Sequence, residues 1–203
     1  MSRSDPSAGT GISNGIGTGI LGRLAGIIRL RTFLGDRRGV SAIEFALVAP
    51  VLVCAYLGLA ELTLGMMASR RTSHLAATIG DLSAQSESLN AANISDLWAI
   101  GTSMLQPFDT GGNLKMRLSS VKMGTDSIAR VDWSSAQNFS PYAKLTQIPA
   151  VTTAQITSGQ CLMMTEVEYD YDSPIGSLFP GTTKFTDTFY HHPRNGNCVV
   201  GPT

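Results

Sequence analysis

The chain has 203 residues, with 15 Lys and Arg balanced by 15 Asp and Glu. That length holds one domain plus a membrane segment and a tail. The globular part has no basic surplus, which removes the electrostatic basis for nucleic-acid binding.

The charges are unevenly distributed. Residues 1–39 carry six Arg and only Asp5 and Asp36. Residues 40–69 carry only Glu44 and Glu61, and residues 70–203 carry nine Lys and Arg against eleven Asp and Glu. A basic front, an apolar middle and a faintly acidic remainder predict a membrane protein with its N-terminus in the cytoplasm. The division expected is a basic cytoplasmic leader over 1–39, a membrane-spanning helix over 40–69 and a periplasmic domain over 70–203.

Residues 1–19 are rich in Gly, Ser and Thr and read as disordered. In residues 20–34, apolar and Arg positions interleave. They form either a basic amphipathic helix on the anionic membrane surface or an extension without a role. Residues 45–60 (FALVAPVLVCAYLGLA) carry no charge. A span needs roughly 20 predominantly apolar residues, and Phe45–Ala68 supplies them if Glu61 lies near the far interface. At 1.5 Å per residue, Glu44 and Glu61 are about 25 Å apart along the axis. That separation puts the carboxylates near opposite faces of the hydrocarbon layer, where charge is cheapest. Pro50 falls in the first turns, where it is tolerated or causes a modest kink.

Beyond the span the helix continues from Ser69 to about Asn90, with Leu75, Ile79, Leu82 and Leu89 at helical spacing. A second helix is expected over Ile94–Gln106, capped by Asn93 with Asp96 three residues on and ended by Pro107. Then Leu114, Met116 and Leu118, a turn at Gly124-Thr125-Asp126, and Ala129, Val131 and Trp133 alternate as a hairpin does. Residues 136–158 read as a long polar loop. Further strands are expected over Leu162–Tyr171, with Met163, Thr165, Val167, Tyr169 and Tyr171 on one side, and over Thr183–Tyr190. The fold class expected is α+β: a long N-terminal helix followed by a small antiparallel sheet with one or two helices packed on it.

The most informative stretch runs from Arg37-Arg38-Gly39-Val40 through Ser41-Ala42-Ile43-Glu44-Phe45 to Pro50. A basic leader ends in Gly, four residues precede Glu, and an apolar helix begins. This resembles the processing region of type IV prepilins. SAIEFALVAPVLV with its GLAEL continuation is similar to the TadE-like pseudopilins of tight-adherence (Flp) pilus systems, as are Glu166–Tyr171 and His192-Pro193-Arg194. The resemblance implies cleavage by a prepilin peptidase between Gly39 and Val40, with Arg37 and Arg38 as leader charges and Glu44 as fifth residue of the mature chain, followed by Phe45. Gly39 lets an extended backbone enter a narrow protease site. Glu44 could pair with a free α-amino group, an attraction strengthened in a low dielectric. TadG-like relatives usually lack this Glu. The leader is longer than in major Flp pilins, and the large C-terminal part excludes a major subunit. What the resemblance implies is a minor pseudopilin or assembly component, with other pilins, pseudopilins, inner-membrane assembly proteins and the lipid bilayer as partners.

Three alternatives stand beside this. The chain could be an ordinary signal anchor in which Gly39 and Glu44 are incidental. It could be an uncleaved bitopic scaffold. Signal peptidase could also cut after Ala60, since Gly58-Leu59-Ala60 is a small-x-small site, and would then release a secreted domain.

Cys161 and Cys198 are expected to pair outside the cytoplasm. Closing a loop of about 37 residues is worth roughly 3–4 kcal/mol in the chain-entropy model. Cys54, in the span, reads as a small apolar residue. His191 and His192 point to opposite faces of a strand, which weighs against a metal site. Glu166, Glu168, Asp170 and Asp172 at alternate positions read as one solvated face rather than a calcium site. The methionines read as packing. With no nucleophile elbow, HExxH or P-loop, neither an enzyme nor a cofactor is expected.

Overall fold

A computed structural model describes residues 39–174 and 181–202. The leader, including Arg37, Arg38 and the expected helix over 20–34, lies outside the described residues. The elements are α1 (Val40–Gln85), α2 (Ala91–Leu105), β1 (Leu114–Met123), β2 (Ala129–Gln137), β3 (Cys161–Asp172) and β4 (Thr182–His191). The architecture is α+β. The strands form one antiparallel sheet in the order β2-β1-β3-β4.

Packing divides the chain into two units, Met1–Cys54 and Ala55–Thr203. In the first, the described residues are helical and almost wholly exposed; Phe45, Leu47 and Val51 are each more than 60% exposed. Pro50 lies inside α1, and the helix runs on through it.

The second unit holds the core. Ala68, Thr72, Leu75, Ala76, Ile79, Gly80, Ser83 and Ala84 form the buried stripe of α1. The spacing of three and four residues places them on one face. Six of the eight are Ala, Gly, Ser or Thr, so the helix backbone approaches closely. At Gly80 an added Cβ would collide with the His191 ring and crowd Thr165 Oγ1. Thr72 and Ser83 satisfy their hydroxyls on the helix's own carbonyls, Ala68 at 2.9 Å and Gly80 at 2.8 Å. This face and the buried side of α2 (Ile94, Leu97, Trp98, Leu105) share a core with Leu114, Met116, Leu118, Met163, Val167, Tyr169 and Tyr171.

α2 begins one turn before the expected point. Asn90, not Asn93, is the N-cap: its side chain accepts from Asn93 N at 2.8 Å, and the Asn93 side chain accepts from Asn90 N at 3.2 Å. Asn at the third position does the work expected of Glu or Gln in a capping box. The carbonyl end of α2 is held by Arg71, which donates to Met104 O at 3.2 Å and to Gln106 O.

The sheet differs from the sequence reading in two ways. Val121 pairs with Val131, whereas Ser120 pairs with Trp133, so β2 carries an extra residue at Asp132. A bulge of this kind shifts the alternation by one. Val131 and Trp133 therefore do not share a face. Val131 joins Val121 in a second core, and Trp133 packs against the first. The expected polar loop is also partly a structural layer. β2 itself extends to Gln137, and Ile148, Val151 and Ile156 are buried beside Val121, Met123, Leu162 and Met164. The segment also hydrogen-bonds along the edge of β2 through Val131 N to Thr146 O, Leu145 N to Val131 O and Ile148 N to Ala129 O, at 2.8–3.0 Å. Three apolar residues spread over nine positions carry no period, so the sequence showed no signal for this layer.

Candidate functional site

Two regions concentrate the candidate functional residues, one in each unit. The first is the start of α1. Gly39 is exposed, and a Cβ added there would meet nothing within 4 Å. The helix begins at the next residue, Val40, which is 48% exposed. Glu44 and Phe45 are exposed one turn on, Phe45 at 71%. If the chain started at Val40, its α-amino group and the Glu44 carboxylate would stand four residues apart on one helix face, within pairing distance. The 18-residue apolar window of α1 has no buried residue. Free Cys54 is exposed within it.

The second region is the domain surface. On the side of the sheet away from α1, the acidic run of β3 is matched by cations on neighbouring strands. Lys115 Nζ lies 2.6 Å from Glu168 and 2.8 Å from Asp170, and Lys184 Nζ lies 2.8 Å from Glu168. The two lysines hold the Glu168 carboxyl below the usual glutamate range. Arg117, 8% exposed, grips Glu166 with two hydrogen bonds of 2.7 Å and is sandwiched between the rings of Tyr142 and Phe139, 3.7 Å and 4.2 Å away. It also donates to Ser140 O at 2.9 Å. A charge-assisted fork between two ring faces is a strong fastener, and it fixes the loop over the sheet. The expected solvated acidic face is thus an ion-paired ladder over Glu166, Glu168 and Asp170, while Asp172 accepts from Thr182 and Asn113.

Cys161 and Cys198 form a disulfide, with Cα atoms 5.2 Å apart. The bond anchors a C-terminal strap that sequence reasoning missed. Arg194 N bonds to Ala84 O, Leu89 N to Val200 O and Val200 N to Glu87 O, at 2.8–3.0 Å. Trp133 Nε1 donates to Val199 O at 2.8 Å, and Arg194 pairs with Asp81. The strap closes the junction between α1 and α2. Only Val199 and Val200 hinted at it in the sequence.

His191 lies on the α1 side of β4, stacked on Phe189 with ring centroids 6.5 Å apart. Asp187, on the same side, accepts from Ser73 at 2.6 Å. Among the described residues no group of three or more His, Cys, Asp or Glu forms a metal-ligand set.

One polar pair stands apart. Glu61 precedes Ala68 and Thr72 by 7 and 11 residues, so it continues the buried stripe of α1 past the end of the core. There it lines a groove of about 470 Å³ with Leu62, Met66, Tyr171 and Phe185. Glu61 Oε2 and the Tyr171 hydroxyl are both buried without a hydrogen-bond partner. Burial, with the Glu61 charge behind it, pushes the Tyr171 phenol up to about 12. The sequence reading placed Glu61 near the far interface of a span and gave it no neighbour.

Residues 39–80 match the model of the TadE-like protein family. The resemblance read from SAIEFALVAPVLV and GLAEL therefore holds from the glycine before α1 through its packed half, and it points to the tight-adherence (Flp) pilus system. No curated protein and no solved structure matches the chain. The one candidate membrane-spanning helix among the described residues fits a single-pass membrane protein.

Proposed function

We propose that the chain is a minor pseudopilin or assembly component of a Flp pilus, anchored in the bacterial inner membrane by α1, with its N-terminus cytoplasmic and its domain periplasmic. Prepilin peptidase cuts between Gly39 and Val40. The role is structural: the domain contacts other pilins, pseudopilins and assembly proteins, and no catalysis is assigned to it.

The single observation that carries this reading is the placement of Gly39, Val40 and Glu44 at the exposed start of an apolar helix. The peptide after Gly39 is accessible, the helix needs no side chain there, and the charge five residues on is free to meet a new amino terminus. The disulfide fits an oxidising compartment. Glu166, Glu168 and Asp170 of β3 are spent on ion pairs rather than left convergent on a substrate.

The test is the intact mass of the protein from membranes of a host with its prepilin peptidase, beside a Gly39→Ala variant. Open space around Gly39 means the variant folds as the native chain does. A native chain beginning at Val40 and a variant retaining its leader are expected. Retention of residues 1–39 by both would make the protein an uncut bitopic scaffold. A chain beginning at Glu61 would overturn membrane anchoring.

A further inference from the structure

The groove beside Glu61 has a chemistry of its own. Its walls are largely apolar, from Leu62 and Met66 on α1 and Phe185 on β4. Its lining includes Glu61 and Tyr171, whose carboxylate oxygen Oε2 and phenol hydroxyl are both shielded from solvent and both without a hydrogen-bond partner. Tyr171 as a whole is 3% exposed. Among the described residues no cation lies within ion-pair distance of Glu61. Of the basic neighbours, Arg71 is committed to the end of α2, and Arg70 also lines the groove but makes no ion pair with Glu61. A carboxylate shielded from water and left unpaired is costly, and the same site is least costly when a cation with several donors fills it.

The geometry points to a phospholipid headgroup bearing a primary ammonium as the occupant of this groove. It would donate to Glu61 Oε2 and to the Tyr171 oxygen, with the adjoining glycerol and acyl portion lying on Leu62, Met66 and Phe185. An ammonium has three N–H donors and can serve both oxygens at once. A quaternary choline has none. The source is the bilayer because the groove opens on the same helix whose preceding residues are apolar and exposed, and Glu61 is the first charged residue after the uncharged run 45–60. The inference rests on α1 spanning the membrane.

The experiment uses the full chain, purified in detergent and titrated with phosphatidylethanolamine, phosphatidylcholine or phosphatidylglycerol of matched acyl chains, with bound lipid read by native mass spectrometry. Retention of the ethanolamine lipid about tenfold over the choline lipid is expected for the gain of a charge-assisted hydrogen bond. Glu61→Gln and Tyr171→Phe should each reduce that preference, Glu61→Gln to near unity, with the Cys161–Cys198 disulfide and the far-ultraviolet circular dichroism of the native chain retained. Tyr171→Phe serves as the second variant if Glu61→Gln fails to fold. Equal retention of the ethanolamine and choline lipids overturns the proposal, as does strongest retention of the anionic glycerol lipid or an undiminished preference in both variants. Fractionation of the same cells is scored separately. A chain recovered without detergent overturns membrane anchoring along with the lipid site. A membrane-bound chain that shows no lipid preference overturns the lipid site alone.

Discussion

The two halves of α1 have the same secondary structure and opposite surroundings. From Val40 to Leu59 its large apolar side chains face outward, with Phe45, Leu47 and Tyr56 more than 70% exposed. From Ala68 to Ala84 the side facing the sheet is shielded completely or nearly so, and it is built from small residues around Leu75 and Ile79. The first half carries Val and Leu on every face, as a helix in lipid does. The second carries a narrow stripe, as a helix on a sheet does. An apolar residue is thus matched to a different solvent in each half, and the change falls between Glu61 and Ala68.

The sharpest way to break this comparison is a matched pair of truncations. Leu75→Ala opens the core and is expected to destabilise the domain by about 2–5 kcal/mol, read by denaturant unfolding of the detergent-solubilised chain. Leu52→Ala should leave that unfolding curve unchanged. The opposite pattern would mean that the exposed half, not the stripe, holds the domain together. Val51→Arg tests the other solvent. An Arg at the centre of a span costs about 2.5–3.5 kcal/mol of insertion and less toward its ends, so the variant should shift in part from membrane to soluble or degraded fractions in cells, while Arg at the exposed position Ser95 should not.

A glycine pair sharpens the contrast further. Gly80→Ala drives a methyl into the His191 ring, and about 1–3 kcal/mol of destabilisation is expected. Gly58→Ala meets nothing within 4 Å and should be neutral or slightly stabilising in its helix. Equal effects from the two would show that α1 does not approach the sheet closely at Gly80. Removing the helix cap with Asn90→Ala should cost about 1 kcal/mol in the same unfolding measurement.

The smallest effect is a pH dependence. Hydrogen bonds from the Arg130 guanidinium hold the Asp126 carboxyl down to about 2. Its folded value lies below the unfolded one, so the stabilisation is present above about pH 4 and is lost as pH falls through 2. Asp126→Asn should remove that part of the acid slope and leave the unfolding midpoint near neutral pH almost unchanged, since the pair is surface-exposed. Acid titration followed by circular dichroism reads both.

Much of this molecule was legible in the order of its residues, because the forces involved are local or periodic. A long uncharged run specifies a helix that needs a non-aqueous environment. The alternation of Met163, Thr165, Val167, Tyr169 and Tyr171 specifies a strand with one buried face, and the buried face is the one observed. The glycine and glutamate flanking the start of α1 are a short motif readable at fixed spacing, and with Cys54 inside the apolar run Cys161 and Cys198 are left as each other's partner. What tertiary structure decided was every feature that depends on residues far apart in the chain. The bulge at Asp132 turned Trp133 to the opposite side from Val131. Arg117 found Glu166 and two rings from a loop with no period. The strap from Arg194 to Val200 closed a helix junction through backbone groups that every residue possesses. Glu61 met Tyr171 across more than a hundred residues of chain. Contacts of that kind leave no imprint on local composition, because the partner is chosen by where the sheet and helices bring it.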